Sequence, residues 1–383
     1  MRILVLGAGR MGFGAAYDLI HSQDVDSVTV ADFQPDSLQY LESKLNSKKL
    51  KTVELDVTNY EKLLELMSGH DSCISCIVYK HNLILAKAAI VTKTNFCDLG
   101  GNNSVVDAEL ALDREAKEAG INIIPDCGLA PGMVSIIAAH GASKFEELDS
   151  IHIRVGGLPQ KPKPPLDYQM VFSVEGLINE YVEKARVVCN GVIKEVESMT
   201  EVEELEFATV GKLEAFHTSG GTSTLPKSFC GRIKNLDYKT IRYPGHCEKF
   251  KLLIDLGLAE SSLVKLNGMA VAPRTLLGKL LVEKLPPPGP DFVLIRVAVT
   301  GRNGKENEKV VYEIVDRFDQ ESGLSAMMRT TSFPASIIAQ MMARGETELK
   351  GATPQELAIK PQRFISELRL RKINLVESRE YLS

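Results

Sequence analysis

The sequence has no long hydrophobic run, no tryptophan and few aromatic residues, which make up 6% of its 383 residues. The missing tryptophan excludes no class of protein. Apolar runs such as Ile84–Val91 are far shorter than the ~20 residues that a membrane-spanning helix needs, so we expect no membrane partner. The first residues lead directly into an apolar run, Arg2–Leu6, without a small-residue cleavage site. We therefore expect no signal peptide.

The sequence also lacks a strong excess of charge of either sign. It has 45 Lys and Arg against 50 Asp and Glu, a net charge of −5, and we expect no nucleic-acid partner because phosphate binding requires clustered basic residues. Its seven cysteines are odd in number and scattered, which is typical of reduced thiols in the cytoplasm. Cys73 and Cys76 lie in a predicted strand and point to opposite faces, and no second pair has zinc-ligand spacing, so we expect no metal.

The first third of the chain alternates short apolar runs with amphipathic segments. The predicted strands are Ile3–Leu6, Ser27–Ala31, Thr52–Leu55, Ser72–Val78, Asn95–Leu99 and Ile121–Pro125. The predicted helices are Met11–His21, Pro35–Leu45, Asn59–Met67, Asn82–Thr92 and Val105–Ala119. This rhythm predicts an α/β fold, a Rossmann doubly wound parallel sheet.

The rhythm changes after about Gly128. Strand-like runs at Ile151–Val155 and Gln169–Val174, and a hairpin around Asn303-Gly304, predict a mixed α+β domain on a largely antiparallel sheet. An amphipathic segment, Ser332–Arg344, follows. We expect a dinucleotide-binding domain at 1–130, a substrate and oligomerisation domain at 131–325, and a C-terminal segment, 326–383, that returns to the first domain.

The clearest functional signal is a glycine motif at the end of the first strand. Gly7, Gly9 and Gly12 match G-x-G-x-x-G and precede a helix, where the glycines permit a tight turn and close approach of a pyrophosphate to the helix N-terminus. Arg10 and Met11 offer their backbone amides. Asp32 follows 20 residues after Gly12 at the end of the second strand, as expected for a carboxylate that accepts the ribose hydroxyls. Because this carboxylate repels a 2′-phosphate and no arginine follows it, we expect NAD as the cofactor.

Residues at or just after the ends of the third and fourth predicted strands complete the predicted cofactor site, because ligands of this fold bind beyond the carboxyl ends of the strands. They are Asp56, Val57, Cys76 and Val78. Asp56 has an equally good interpretation as a turn or N-cap residue before Thr58.

Several longer stretches resemble the saccharopine dehydrogenase-like family, and within it the NAD-dependent L-lysine 6-dehydrogenases. They are Asp98-Leu99-Gly100-Gly101-Asn102, Pro125-Asp126-Cys127-Gly128-Leu129-Ala130-Pro131-Gly132, Ile153-Arg154-Val155-Gly156-Gly157-Leu158-Pro159, Phe172-Ser173-Val174-Glu175-Gly176-Leu177, Gly211-Lys212-Leu213-Glu214-Ala215-Phe216, Thr218-Ser219-Gly220-Gly221 and Arg242-Tyr243-Pro244-Gly245-His246-Cys247-Glu248. The resemblance covers nearly the whole chain. One departure is Val78, where members often have proline.

The resemblance implies oxidation of the ε-amine of L-lysine, with release of ammonia and cyclisation of the semialdehyde. Such chemistry needs a general base and a group that binds the substrate carboxylate. The candidates for catalysis are Lys80, Asp98, Asp126, His217 and Arg242. His81 and His246 are further candidates for proton transfer, and Arg154 is the alternative carboxylate clamp. Glu175 or Asp167 could pair with a substrate ammonium, and a surface salt bridge is an equally good interpretation of either.

Two other functions fit the same sequence. The first is a dehydrogenase of this family that acts on saccharopine or on a carboxylated polyamine, and the second is a non-catalytic regulator that binds NAD. As a partner besides the small-molecule substrate we expect a second copy of the chain, in a homodimer or a higher homo-oligomer.

Overall fold

The computed structural model describes residues 1–171 and 173–382. It divides into two compact units, the first formed by Met1–Ser143 and Met328–Asn374, the second by Lys144–Met327 and the chain from Leu375. These boundaries differ from the expected ones at 130 and 325. The helix at Met133–Ala142 belongs to the first unit, and the final strand belongs to the second unit, so the C-terminal segment does not return as a whole.

The first unit is a parallel sheet with helices, and the predicted Rossmann fold is confirmed. Its strands are β1 Arg2–Leu6, β2 Ser27–Asp32, β3 Leu50–Glu54, β4 Ser72–Ser75, β5 Asn95–Asp98 and β6 Asn122–Ile124. Its helices up to Ser143 are α1 Arg10–His21, α2 Pro35–Leu45, α3 Tyr60–Met67, α4 Asn82–Thr92, α5 Asn103–Leu110, α6 Asp113–Ala119 and α7 Met133–Ala142, with a 3₁₀ turn at Tyr79–His81. The strand order 3-2-1-4-5-6 is that of doubly wound dinucleotide-binding folds.

A seventh parallel strand, which the sequence did not predict, extends this sheet beyond β6. It belongs to the unit's second segment, with α12 Ala326–Arg344, β17 Gly351–Ala352, α13 Gln355–Ala358 and α14 Pro361–Leu370. The predicted single helix Val105–Ala119 is wrong, since the chain forms α5 and α6 with a break between them. The break leaves the Asp113 carboxylate at the start of α6, where it accepts the backbone N–H of Ala352 in β17 at 3.2 Å.

The second unit is built on a nine-stranded mixed sheet. Its strands are β7 Glu147–Pro159, β8 Ala185–Cys189, β9 Val192–Val196, β10 Glu203–Phe207, β11 Gly211–His217, β12 Asn235–Arg242, β15 Asp291–Asn303, β16 Glu306–Arg317 and β18 Val376–Leu382, with a separate hairpin of β13 Val264–Leu266 and β14 Met269–Val271. Its helices are α8 Val174–Val182, α9 Leu225–Phe229, α10 His246–Asp255 and α11 Pro273–Lys284. Among the described strand pairs of this nine-stranded sheet, only β7 and β12 are parallel, which agrees with the expected antiparallel character.

The hairpin predicted around Asn303-Gly304 is confirmed and is longer than expected, because β15 and β16 pair from Phe292 and Arg317 to the turn. Gly304 has a left-handed backbone with φ of 59°, which the turn requires. The strand predicted at Gln169–Val174 is wrong. Val174 instead begins α8, since the Ser173 hydroxyl accepts the N–H of Gly176 and caps this helix. Phe172 lies outside the described residues.

Candidate functional site

The glycine turn after β1 has the shape of a pyrophosphate cradle. Gly7 has φ of 103°, and a Cβ on Gly12 would lie 1.8 Å from the Gly7 carbonyl oxygen, so neither position tolerates a side chain. Nothing lies within 4 Å of the position that a Cβ on Gly9 would take, so the backbone there is open to a ligand. No side chain caps the N-terminus of α1, which faces this turn. The described residues therefore fit the phosphates of a dinucleotide.

Asp32 holds this turn while keeping capacity for a ligand. One carboxylate oxygen accepts the backbone N–H of Ala8 at 2.7 Å, and the other accepts that of Gln34 at 2.8 Å. Each oxygen has two lone pairs, so each has one left for a ribose hydroxyl. Phe33, the residue that follows, is 65% exposed and carries no charge. The Asp32 carboxylate thus stands at the end of β2 beside an exposed, uncharged side chain.

The other predicted cofactor residues differ in their surroundings. The Asp56 carboxylate accepts the N–H and the hydroxyl of Thr58 at 2.9 and 2.7 Å, which lowers its pKa, so the turn interpretation describes it well. Val57 packs against the core beside the sheet. The Cys76 carbonyl lies 2.9 Å from the position of a Cβ on Gly7, so Cys76 borders the glycine turn. Val78 and Lys80 are exposed, Lys80 on the 3₁₀ turn.

Three buried carboxyl side chains gather at the carboxyl ends of β5 and β6. Asp98 Oδ1 accepts the backbone N–H of Gly100 at 2.6 Å and that of Asp126 at 3.3 Å. Burial raises the pKa of Asp98 to about 6. A Cβ on Gly100 would lie 1.8 Å from Asp126 Oδ1, so only glycine admits the Asp126 carboxylate here. Glu109 of α5 is the third carboxyl group, and the sequence reasoning missed it.

Asp126 has a feature that singles it out among these carboxyl groups. Its backbone is left-handed, with φ of 60°, which is uncommon for a residue other than glycine and is concentrated at functional sites. The neighbouring Cys127 is fully buried and its thiol contacts the Ile124 carbonyl oxygen at 3.1 Å. Burial raises the pKa of this thiol well above its ordinary value, so Cys127 is held as an unreactive thiol.

Arg242, at the end of β12, is a buried cation in the second unit. It is 3% exposed, and it makes no ion pair with a carboxylate in the part of the chain described. Its Nε donates to the Tyr181 hydroxyl at 2.8 Å and its Nη1 to the Ile241 carbonyl oxygen at 2.9 Å. The guanidinium carbon lies 4.9 Å from the centre of the Tyr168 ring. A buried guanidinium that has aromatic neighbours and forms no ion pair within the described residues is suited to a substrate carboxylate.

A chain of hydrogen bonds, in which each donor and acceptor can be assigned, holds the Arg242 guanidinium. Since the Leu166 carbonyl oxygen can only accept, His246 Nδ1 donates to it at 3.0 Å. His246 Nε2 then accepts from the Tyr181 hydroxyl at 3.0 Å, and the same hydroxyl accepts from Arg242. Burial and the charge of Arg242 lower the pKa of His246 to about 3. His246 is therefore neutral at physiological pH and serves to orient Tyr181 and Arg242.

Arg154 and His217 are occupied by other protein groups. The Arg154 guanidinium bonds to both carboxylate oxygens of Glu203 and to Asp237, the latter at 2.9 and 3.1 Å. His217 is 2% exposed and contacts Glu201 at 3.0 Å and the Tyr238 carbonyl oxygen at 3.3 Å. Arg154 therefore has little capacity to bind a substrate carboxylate.

The two carboxylates expected to bind a substrate ammonium are also paired with cations. Glu175 bonds to Arg274 at 2.8 Å, and Asp167 lies 3.3 Å from Lys249. Glu180, which the sequence reasoning missed, is partly buried on α8 and interacts electrostatically with Arg242. Burial raises its pKa to about 7. A cation and a carboxylate thus share one environment, as the recognition of an α-amino acid requires.

Two family models together match almost the whole chain. The saccharopine dehydrogenase NADP binding domain matches residues 3–124, and the saccharopine dehydrogenase C-terminal domain matches residues 128–373. The first of these shows that the glycine turn belongs to an NAD(P)-binding domain. Within residues 1–171 and 173–382, no helix combines the length and the apolar character that crossing a membrane requires.

Curated proteins and solved structures give similar results. The chain is 24% identical to the mitochondrial alpha-aminoadipic semialdehyde synthase of Rattus norvegicus, over 91% of this chain and 45% of that protein. It therefore spans less than half of this longer relative. It is 25% identical to the carboxynorspermidine synthase of Vibrio cholerae, over 96% of this chain and 94% of that one. The structure of apo saccharopine dehydrogenase (L-Glu forming) from Saccharomyces cerevisiae has a TM-score of 0.81 at 21% identity and covers 99% of both chains, which supports the fold.

Proposed function

Because the chain belongs to the saccharopine dehydrogenase family, we propose that it is an NAD-dependent dehydrogenase that oxidises the ε-amine of L-lysine. The proposed reaction converts the amine carbon to an imine, which water hydrolyses to the 6-semialdehyde with release of ammonia. The semialdehyde then cyclises to piperideine-6-carboxylate. The chemistry that NAD supplies when bound is acceptance of a hydride from the substrate carbon.

The preference for NAD over NADP rests on Asp32. Asp32 is the last residue of β2, and the side chain of the next residue, Phe33, has no positive charge that could bind a 2′-phosphate. Gly7, Gly9 and Gly12 would hold the pyrophosphate, with the backbone amides of Arg10 and Met11 at the start of α1. Although the family model describes an NADP-binding domain, we base the proposal of NAD on the acidic residue at the end of β2.

Arg242 carries the proposal for the substrate. The second unit has two buried arginines in its described part, Arg154 and Arg242, and Arg154 is already paired with carboxylates. One available guanidinium suits a substrate with a single carboxylate, such as L-lysine. Saccharopine has three carboxylates and would require further cations. Glu180 would bind the α-ammonium of the amino acid.

We assign proton acceptance from the substrate to the carboxyl groups of Asp98 and Asp126. Asp98 is enclosed on both oxygens, by backbone N–H groups on one side and by Glu109 on the other. Asp126, whose left-handed backbone is typical of functional sites, is our candidate for the general base, with Asp98 holding its backbone N–H. Lys80, exposed beside the fourth strand, is the alternative, and His217 is a weaker one because Glu201 already binds its ring.

The test is an assay of NADH formation with L-lysine, saccharopine and carboxynorspermidine in turn, together with a measurement of ammonia. Turnover of L-lysine with ammonia release supports the proposal. Turnover of saccharopine or carboxynorspermidine alone would refute it in favour of another dehydrogenase of the family, as the Vibrio relative suggests. Binding of NAD without turnover of any amine would indicate a regulator.

A further inference from the structure

Asp98 and Glu109 form a pair of carboxyl groups inside the first unit. Both side chains are fully buried. Neither Asp98 Oδ2 nor either carboxyl oxygen of Glu109 accepts a hydrogen bond from an N–H or hydroxyl group of the described residues. The two carboxyl groups lie within hydrogen-bonding reach of each other. A hydrogen bond between the two carboxyl groups is the interaction that remains for Asp98 Oδ2 and the Glu109 oxygens.

Such a pair cannot carry two negative charges. Ionised carboxyl groups only accept hydrogen bonds, and two like charges in contact away from water repel strongly. A shared proton removes both problems, because the protonated group donates to the ionised one. A metal ion would be the other solution, but no cluster of three or more His, Cys, Asp or Glu side chains in residues 1–171 and 173–382 could hold one.

The surroundings decide which group keeps the proton. Asp98 Oδ1 accepts two backbone N–H groups, from Gly100 and Asp126, and these bonds favour its ionised form. Glu109 accepts none, and the carboxyl groups of Asp98 and Asp126 both face it. We propose that Glu109 is protonated at neutral pH and donates its hydrogen to Asp98 Oδ2. Glu109 is thus a positioning residue that fixes Asp98, which in turn holds the backbone of Asp126.

The pKa values of the two groups agree with a protonated Glu109 and an ionised Asp98. Burial, followed by the charge of Asp98, raises the pKa of Glu109 to about 11, whereas the pKa of Asp98 rises only to about 6. Between these values Asp98 is ionised and Glu109 is not. The inference needs no knowledge of the substrate, so its failure and that of the proposed function are distinguishable.

The direct test is carbon-13 NMR of the carboxyl groups in full-length protein labelled at glutamate Cδ, without cofactor or substrate. The Glu109 signal, identified by its loss in Glu109→Gln, is expected at the position of a protonated carboxyl group throughout pH 6–8. A Glu109 signal at the ionised position at pH 7 would overturn the proposal. The measurement is made on the wild-type protein, and Glu109→Gln serves only to assign the signal.

A second test uses thermodynamic linkage. A glutamate that is protonated in the folded state and ionised in the unfolded state releases a proton on unfolding. Folded protein therefore becomes less stable as pH rises above the unfolded-state pKa, by up to tenfold per pH unit in the unfolding equilibrium constant. Glu109→Gln removes this dependence while its amide N–H still donates to Asp98 Oδ2. We expect the stability of Glu109→Gln relative to wild type to increase from pH 6 to pH 8.

Two further variants complete the design. Glu118→Gln, on the exposed surface of α6, is the matched control and should follow wild type at every pH, since Glu118 is 72% exposed. Glu109→Leu keeps the volume but has no donor, so we expect lower stability than in Glu109→Gln. Equal behaviour of Glu109→Gln and Glu109→Leu would contradict the donor role, and a pH dependence of Glu109→Gln like that of wild type would contradict the protonation.

Discussion

Replacement of Arg242 by methionine tests the substrate assignment most directly. Methionine keeps much of the apolar stem and removes the charge. Removing one partner of a buried, hydrogen-bonded charge pair costs about 2–5 kcal/mol of binding free energy. At 1.36 kcal/mol for each factor of ten, this corresponds to an increase in KM for L-lysine of roughly 30- to 5,000-fold. The assay is the initial rate of NADH formation over a range of lysine concentrations.

The same substitution should have little effect on stability. The Arg242 guanidinium forms no ion pair with a carboxylate in the described chain, and Glu180 interacts with it only through charge, so the free protein bears most of the cost of burying this guanidinium. Its loss removes that cost and also removes the hydrogen bonds to Tyr181 and Ile241, about 1 kcal/mol each. These contributions oppose each other. We therefore expect the melting temperature to change by only about 2–4 °C.

Arg154→Met is the matched control, because it removes the other buried arginine of the second unit. This guanidinium balances Asp237, whose pKa lies well below its ordinary value despite burial because His152 and Arg154 bond to it. Its removal should destabilise the protein by about 2–4 kcal/mol, less than a fully buried pair because Glu203 is 35% exposed. KM for lysine should change little. If Arg242→Met leaves KM unchanged, or if the two variants exchange these patterns, the assignment of the carboxylate to Arg242 is wrong.

Three further predictions concern the first unit. Asp32→Ala should weaken NAD binding and raise the affinity for NADP relative to NAD, as measured by fluorescence titration; an unchanged ratio of the two affinities would refute the ribose role. Gly12→Ala should abolish binding of both dinucleotides, because its Cβ would lie 1.8 Å from the Gly7 carbonyl oxygen; retained affinity would show that the turn can rearrange. The pKa of Asp98 is about 6, so kcat/KM should fall as pH drops below about 6, because protonation removes the negative charge that holds the N–H of Asp126. Asp98→Asn should lower kcat and lose this decrease at acidic pH. An unchanged pH profile in Asp98→Asn would show that Asp98 does not cause the decrease.

The residues that the sequence predicted well are those whose role depends on neighbours in the chain. The glycine turn and Asp32 belong to one βαβ unit, so their spacing alone indicates a dinucleotide site. Arg154 shows the limit of such reasoning. Its partners, Glu203 and Asp237, lie 49 and 83 residues away, and strand pairing brings them together. A sequence gives no sign that this arginine is already occupied.

Glu109 and Glu180 were missed for a related reason, although a signal was present. Glu109 lies three residues after Val106 and Glu180 three residues after Leu177, and both Val106 and Leu177 are buried. Residues at this spacing share one face of a helix. An acidic residue on the apolar face of a short helix can therefore indicate a buried carboxyl group. The side chains packed around such a carboxyl group determine whether it is protonated, paired with a cation or bound to a ligand.

The division of the chain between the units has a consequence for biosynthesis. The polypeptide passes from one unit to the other three times, after residues 143, 327 and 374. The parallel sheet receives its seventh strand only when Gly351–Ala352 has left the ribosome, and β16 receives its partner β18 later still. The parallel sheet is therefore incomplete until Gly351–Ala352 has been synthesised, and the second sheet is incomplete until β18 has been synthesised. Until then the nascent chain exposes the unpaired edges of β6 and β16, and during this period it most needs protection by a chaperone.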